Sequence, residues 1–172
     1  MDTRALTRRI RNIPDFPKPG IQFRDITPLL LDAEAFGASI EAMIEPFRER
    51  GVDGVLAIES RGFLFGAPIA QALGVGLGLV RKKGKLPYDT HESSYELEYG
   101  VDSVEMHVDA VHAGQHVLIV DDVIATGGTA AAAVDLVRKA GAEVVGATFL
   151  IELTALGGRS RLDSRCHAVL RY

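Results

Sequence analysis

An α/β domain built on a mainly parallel central sheet flanked by helices is the fold class this sequence predicts. Three observations predict it. Short apolar runs recur along the chain: VLAI (55–58), LGLV (77–80), VLIV (117–120) and VVGATFLI (144–151), with AVL (168–170) reading as a fifth. Continuous apolar runs of this kind mark strands buried on both faces. Helical patterns alternate with them, and strand–helix–strand succession pairs the strands in parallel through right-handed crossovers. The length of 172 residues fits one domain at roughly 150 residues each, so a single domain over 1–172 is expected. With 47% hydrophobic and 24% charged residues, there is apolar surface enough for a core.

Each element follows in order. A short basic helix opens the chain, with Leu6 and Ile10 on one face. Residues 14–20, PDFPKPG, hold three prolines and a glycine, which enforce an extended, non-helical stretch. Asp32 is placed to cap a helix over 32–50, in which Phe36, Ile40, Met43, Ile44 and Phe47 recur at helical spacing. Pro46 lies inside that pattern and predicts a kink or an early end. Helices are also expected over 65–73 and over 128–140, the latter with Gly141 as its cap. Between them, Tyr95, Leu97 and Tyr99 alternate with Glu96 and Glu98, and Val104, Met106 and Val108 with Glu105 and His107. With Gly100 to Ser103 between the arms, this reads as an antiparallel hairpin with an acidic face, a flap projecting from the sheet.

The composition excludes several classes. A net charge of −4 gives no drive toward nucleic acid or an anionic membrane. No apolar run is long enough to span a bilayer, and no apolar segment follows Arg4, Arg8, Arg9 and Arg11 as a secretory signal requires. The single cysteine, Cys166, rules out an internal disulfide framework and fits a reducing compartment, so a cytoplasmic protein is expected. Familiar motifs also fail. Gly78 to Lys85 has the wrong spacing for a P-loop, and Leu86 stands where a hydroxyl should follow the lysine. Gly74-x-Gly76 precedes a strand, His112 and His116 have no third ligand near, and no Gly-x-Ser-x-Gly elbow exists.

The chemistry gathers where the strands end. VLAI runs into Glu59-Ser60-Arg61-Gly62, LGLV into Arg81-Lys82-Lys83-Gly84-Lys85, and VLIV into Asp121-Asp122 followed by Ala125-Thr126-Gly127-Gly128-Thr129. In open parallel sheets the carboxyl ends of the strands form the ligand crevice. The glycines of 125–129 let backbone N–H groups approach an anion ahead of a helix, and a phosphomonoester fits there. The plainer reading of that loop is a tight strand-to-helix turn with Thr129 as its cap. Asp121 and Asp122 repel one another unless ribose hydroxyls or a nearby Mg²⁺ compensate them. The basic run is either a solvated face or, opposite a phosphate loop, a polyphosphate site.

VLIVDDVIATGGT (117–129) resembles the phosphoribosyl pyrophosphate signature of the type I phosphoribosyltransferases. PDFPKPGIQFRDITPLL (14–30), ESRGFLFG (59–66), RKKGKLP (81–87), SYELEYG (94–100) and IELTALGGR (151–159) resemble the adenine-specific branch of that family. The resemblance spans nearly the whole chain and implies the type I phosphoribosyltransferase fold, with 1–30 contributing to an adenine pocket and 84–108 a flexible flap. It implies a purine-salvage reaction: adenine and phosphoribosyl pyrophosphate give AMP and diphosphate, with Mg²⁺ held mainly by substrate and water rather than by direct protein ligands. It implies Asp121 and Asp122 on the ribose and Ala125, Thr126, Gly127, Gly128 and Thr129 on the 5′-phosphate. Ser60, Arg61, Arg81, Lys82 and Lys85 would hold the diphosphate. Phe23 would stack on adenine, with Val123 on its other side and backbone near Ile21 and Arg24 reading its edge. Glu98 would be the general base for the purine ring, and the Glu59–Ser60 peptide would be cis. The 6-oxopurine enzymes carry an aspartate where Ala125 stands, which favours adenine. A homodimer is expected, with no nucleic-acid or membrane partner. The competing readings are a purine-responsive regulator on the same fold, which should carry a broad basic surface, and a transferase for another base.

Overall fold

The chain begins with a helical turn, α1 (Thr3–Thr7), capped by the Asp2 carboxylate, which accepts from Ala5 N at 2.8 Å. Leu6 and Ile10 are both buried. Strand β1 (Arg11–Ile13) pairs antiparallel with β2 (Phe23–Asp25), and the intervening proline-rich segment holds no helix and has a cis Phe16–Pro17 bond. The buried Asp25 accepts from Thr27 N and Thr27 Oγ1, each at 2.9 Å, at the start of α2 (Thr27–Leu30). Helix α3 (Ala33–Ile44) starts where Asp32 accepts from Glu34 N and Ala35 N, both at 3.1 Å. It ends one residue before a three-ten turn over Glu45–Phe47, the early termination that Pro46 predicts. In this computed structural model, which describes residues 1–96 and 100–172, the chain divides into two compact units, 1–42 and 43–172.

The second unit alternates as read: β3 (Gly54–Ile58), α4 (Gly62–Leu73), β4 (Gly76–Lys82), the hairpin β5 (Thr90–Glu96) and β6 (Val101–His107), β7 (His116–Ile124), α5 (Gly128–Lys139), β8 (Glu143–Glu152) and β9 (Cys166–Arg171). Its sheet has the order β5-β6-β4-β3-β7-β8-β9. The five strands from β4 to β9 in that order pair in parallel, and β6 and β5 add antiparallel at one side. Val55 to Ile58 and Val117 to Val120 are buried without alternation. That is the signature of central strands covered on both faces, each large apolar side chain stabilising by roughly 1.5–3 kcal/mol.

Several boundaries differ from the sequence reading. Helix α4 starts three residues earlier, at Gly62, because glycine there hides the helical pattern. Strands β4 and β7 run on through Lys82 and Ile124, so the charged residues that seem to end the strands lie in them. The hairpin arms sit at 90–96 and 101–107, so Val101 to Ser103 belong to a strand rather than the turn. Val104, Glu105 and Met106 are all buried, because Glu105 accepts from Lys85 N at 3.0 Å and Leu86 N at 2.9 Å. Among the described residues no helix is long and apolar enough to cross a membrane.

Candidate active site

Strand β3 lies between β4 and β7, so three neighbouring strands release their charged ends side by side. A cavity of about 560 Å³ opens there, lined by Ser60, Arg61, Lys82, Asp121, Asp122, Val123, Ala125 and Thr129, among others. An adjoining hollow of about 90 Å³ is lined by Asp121, Val123 and the loop from Ala125 to Thr129. A larger open hollow of about 780 Å³ lies by the amino ends of β7 and β8, near His116 and Glu143, and receives none of these converging groups.

The loop before α5 is held by backbone approach. Gly127 has φ +81°, a conformation that a side chain disfavours. A Cβ on Gly127 would collide with the Gly158 carbonyl, and one on Gly158 would collide with the Ala125 carbonyl and lie 2.7 Å from Gly127 N. Gly158 is fixed in turn by its neighbour. Arg159 donates to both oxygens of the buried Glu152, at 2.9 and 2.6 Å, and to Cys166 O. The GGR of 157–159 therefore acts as the backing of the loop, a role its sequence does not announce.

Across the cavity the cations are organised by one acid. Glu59 accepts from Lys82 N at 2.9 Å, from Arg81 Nε at 3.1 Å and from Lys85 Nζ. Burial alone would raise its carboxyl, but these donors hold it below the ordinary value. Lys82 points its side chain into the cavity wall, whereas Arg81 and Lys85 are tied to Glu59 beside it. Lys83 turns away to Glu92, at 2.8 Å. The Glu59–Ser60 peptide is cis.

At the floor, Gly62 lets α4 approach the carboxylates: a Cβ there would lie 2.9 Å from Asp121 Oδ1. Asp121 Oδ1 accepts from Asp122 N at 2.8 Å, and the buried Asp122 Oδ2 lies 2.5 Å from Arg61 Nε in an ion pair without an aligned hydrogen bond. Burial, and then the Asp122 charge, push the Asp121 carboxyl well above the ordinary range. The hairpin closes one wall. Tyr95 packs on Gly128, whose Cβ would lie 2.7 Å from the ring, and its hydroxyl meets Thr129 and Asp102.

The remaining candidates lie elsewhere. Phe23 and Arg24 are in β2, within 1–42, where the Phe16 ring stands edge-on to Phe23 at 5.1 Å and Arg24 donates to Asn12. Ile21 precedes them and is exposed. Glu98 lies outside the described residues. Sequence reasoning missed Glu59, Tyr95, Asp102 and Gly158 as parts of the site. Only Glu59 left a signal, as a lone acid at a strand end facing a basic run.

Residues 30–169 match the family model of the phosphoribosyl transferase domain. Over 168 residues the chain is 54% identical to an adenine phosphoribosyltransferase of Rhodopirellula baltica, covering 97% of this chain and 82% of that one. The crystal structure of adenine phosphoribosyltransferase from Rhodothermus marinus superposes with a TM-score of 0.95 at 55% identity, over 99% of this chain and 98% of that one. The Saccharomyces cerevisiae enzyme, solved with adenine and an imino-altritol bisphosphate, superposes at 0.92 with 42% identity, over 97% of each chain.

Proposed function

The chain belongs to the phosphoribosyl transferase family and, within it, to the adenine phosphoribosyltransferases, and on that footing we propose how its residues divide the work. It converts adenine and 5-phospho-α-D-ribose 1-diphosphate to AMP and diphosphate, a purine-salvage transfer. One observation carries the assignment of residues: adjacent strand ends bring a carboxylate pair, Arg61 and Lys82 to one cavity, with the glycine loop in the adjoining hollow and the Glu59-anchored cations beside it.

In this reading the 5′-phosphate sits on the backbone of Ala125 to Gly128 and on Thr129, at the amino end of α5. Asp121 and Asp122 accept hydrogen bonds from the ribose hydroxyls. Ser60, Arg61 and Lys82, with Arg81 and Lys85 held in reserve by Glu59, take the diphosphate. The C1′–oxygen bond to diphosphate breaks, adenine N9 bonds to C1′, and Glu98 takes the N9 proton. Charge grows on the leaving group as the sugar becomes oxocarbenium-like, and cations fixed in advance stabilise that charge. Phe23 stacks on adenine, Val123 gives an apolar contact, and the backbone near Ile21 and Arg24 reads the purine edge. Residues 1–30 are the proposed adenine-binding segment and 84–108 the proposed flap.

The carboxylate pair fits Mg²⁺. Two adjacent acids, one with its carboxyl pushed up by burial and its neighbour, offer hard oxygens beside the Arg61 cation. Mg²⁺ on the substrate and water would supply further positive charge and neutralise the diphosphate. A cytoplasmic homodimer completes the reading. A lone cysteine supports the compartment, and Leu64 on α4 and Leu77 on β4, both exposed, offer apolar surface for a second copy.

Steady-state kinetics test the roles. Glu98→Gln should lower kcat by about 10²–10⁴, with phosphoribosyl pyrophosphate affinity changed less than about threefold. Asp122→Asn should raise KM for that substrate as well as lower kcat. Near-normal kcat in Glu98→Gln would remove Glu98 as the base.

A further inference from the structure

Four side chains form one hydrogen-bond chain across the cavity wall. Thr129 Oγ1 donates to Tyr95 Oη at 3.0 Å, Tyr95 Oη donates to Asp102 Oδ2 at 3.2 Å, and Lys82 Nζ donates to the same Oδ2 at 2.7 Å. Tyr95 and Asp102 are opposite one another in the hairpin register, so a single cross-strand pair holds both a loop threonine and a cavity lysine.

Proton counting fixes the direction of every link. The Lys82 ammonium holds the Asp102 carboxyl below its ordinary value, so this carboxylate is ionised and only accepts. Burial pushes the Tyr95 phenol up, so it carries one proton, and that proton goes to Asp102. Thr129 must then be the donor to Tyr95, which uses its only proton. A phosphate dianion also only accepts. For Thr129 to bind phosphate, its proton must leave Tyr95.

We propose that Tyr95 is a positioning residue for the transfer reaction: it holds the Thr129 proton while the loop is empty and gives it up when the 5′-phosphate arrives. Tyr95 then either loses Thr129 or turns its own proton to the Thr129 oxygen and releases Asp102. One link of the chain breaks in both cases, so phosphate entry registers on the hairpin that carries Tyr95 and Asp102. The inference rests on the loop's being the phosphate site. It goes further by assigning a hairpin residue whose hydroxyl competes with substrate for a loop donor.

Titration calorimetry with ribose 5-phosphate and, separately, diphosphate tests it. Tyr95→Phe keeps the ring on Gly128 and frees the Thr129 proton. The variant should bind ribose 5-phosphate about three- to tenfold tighter, the worth of one neutral hydrogen bond, with diphosphate affinity within about twofold of the parent. In a Thr129→Val background the same substitution should change nothing. Unchanged or weaker ribose 5-phosphate binding by Tyr95→Phe, an equal shift for diphosphate, or the same gain in the Thr129→Val background would overturn the proposal. If the unsubstituted protein binds no ribose 5-phosphate, the phosphate-loop reading fails first and the proposal with it.

Discussion

Asp121 is held at a cost. It sits beside Asp122, beneath the cavity, where burial and the like charge both disfavour its ionised form. A carboxyl whose folded value is raised weakens the fold as pH climbs from the ordinary aspartate range, near ~3.9, toward that raised value. Asp121→Asn removes the charge and keeps an oxygen to accept from Asp122 N. The substitution should therefore stabilise the empty protein at neutral pH by about 1 kcal/mol, a rise of ~2–4 °C in Tm. The gain should shrink as pH falls toward that range, and KM for phosphoribosyl pyrophosphate should rise because the proposed ribose contact is lost. Calorimetric melting against pH checks the first half and kinetics the second. Glu59 shows the opposite arrangement: its acid is buried but surrounded by donors, so the fold keeps it charged and uses it to aim a lysine and an arginine.

At the scale of elements, the proposed phosphate loop is shaped by a segment about thirty residues downstream in the sequence as much as by its own glycines. Gly127 and Gly158 exclude side chains from each other's backbone, and the Glu152–Arg159 pair keeps the second in place. Gly158→Ala sets a buried Cβ against the Ala125 carbonyl and Gly127 N and should push the 125–127 backbone away. A cost of about 1–3 kcal/mol in stability is expected from overpacking. A rise of roughly tenfold or more in KM for phosphoribosyl pyrophosphate should accompany it, because the N–H groups no longer converge. A KM within twofold of the parent would show that the backing segment does not shape the loop. The hairpin is tied to α5 in a similar way: Ser93 Oγ donates to Asp135 at 2.7 Å and Lys139 Nζ to Glu92 O at 2.7 Å. These links run along the same helix whose first turn carries Thr129.

For the whole molecule, what the sequence makes legible is what local patterns encode. The apolar runs at 55–58, 77–80, 117–120 and 144–151 mark the parallel strands, and the charged residues after them mark the crevice, because both signals are contiguous in the chain. Pro46 ends its helix for the same local reason. Tyr95 and Gly158 were not legible as site residues, because each acts on partners 31 to 34 residues away: Thr129 and the 125–127 backbone. No periodicity or spacing rule reports such pairings. The strand extensions through Lys82 and Ile124 escaped for a related reason, since charge at a strand's end looks like a loop until a cavity is seen to receive it. The family resemblance supplied what patterning could not, the identity of the base. A panel of adenine, hypoxanthine, guanine, xanthine, orotate and uracil, each with phosphoribosyl pyrophosphate and Mg²⁺, tests that claim most directly. Adenine should exceed every other base by at least about a hundredfold in kcat/KM, because a site that pairs one purine edge leaves buried polar groups unmatched by another. Comparable turnover of hypoxanthine would contradict the account.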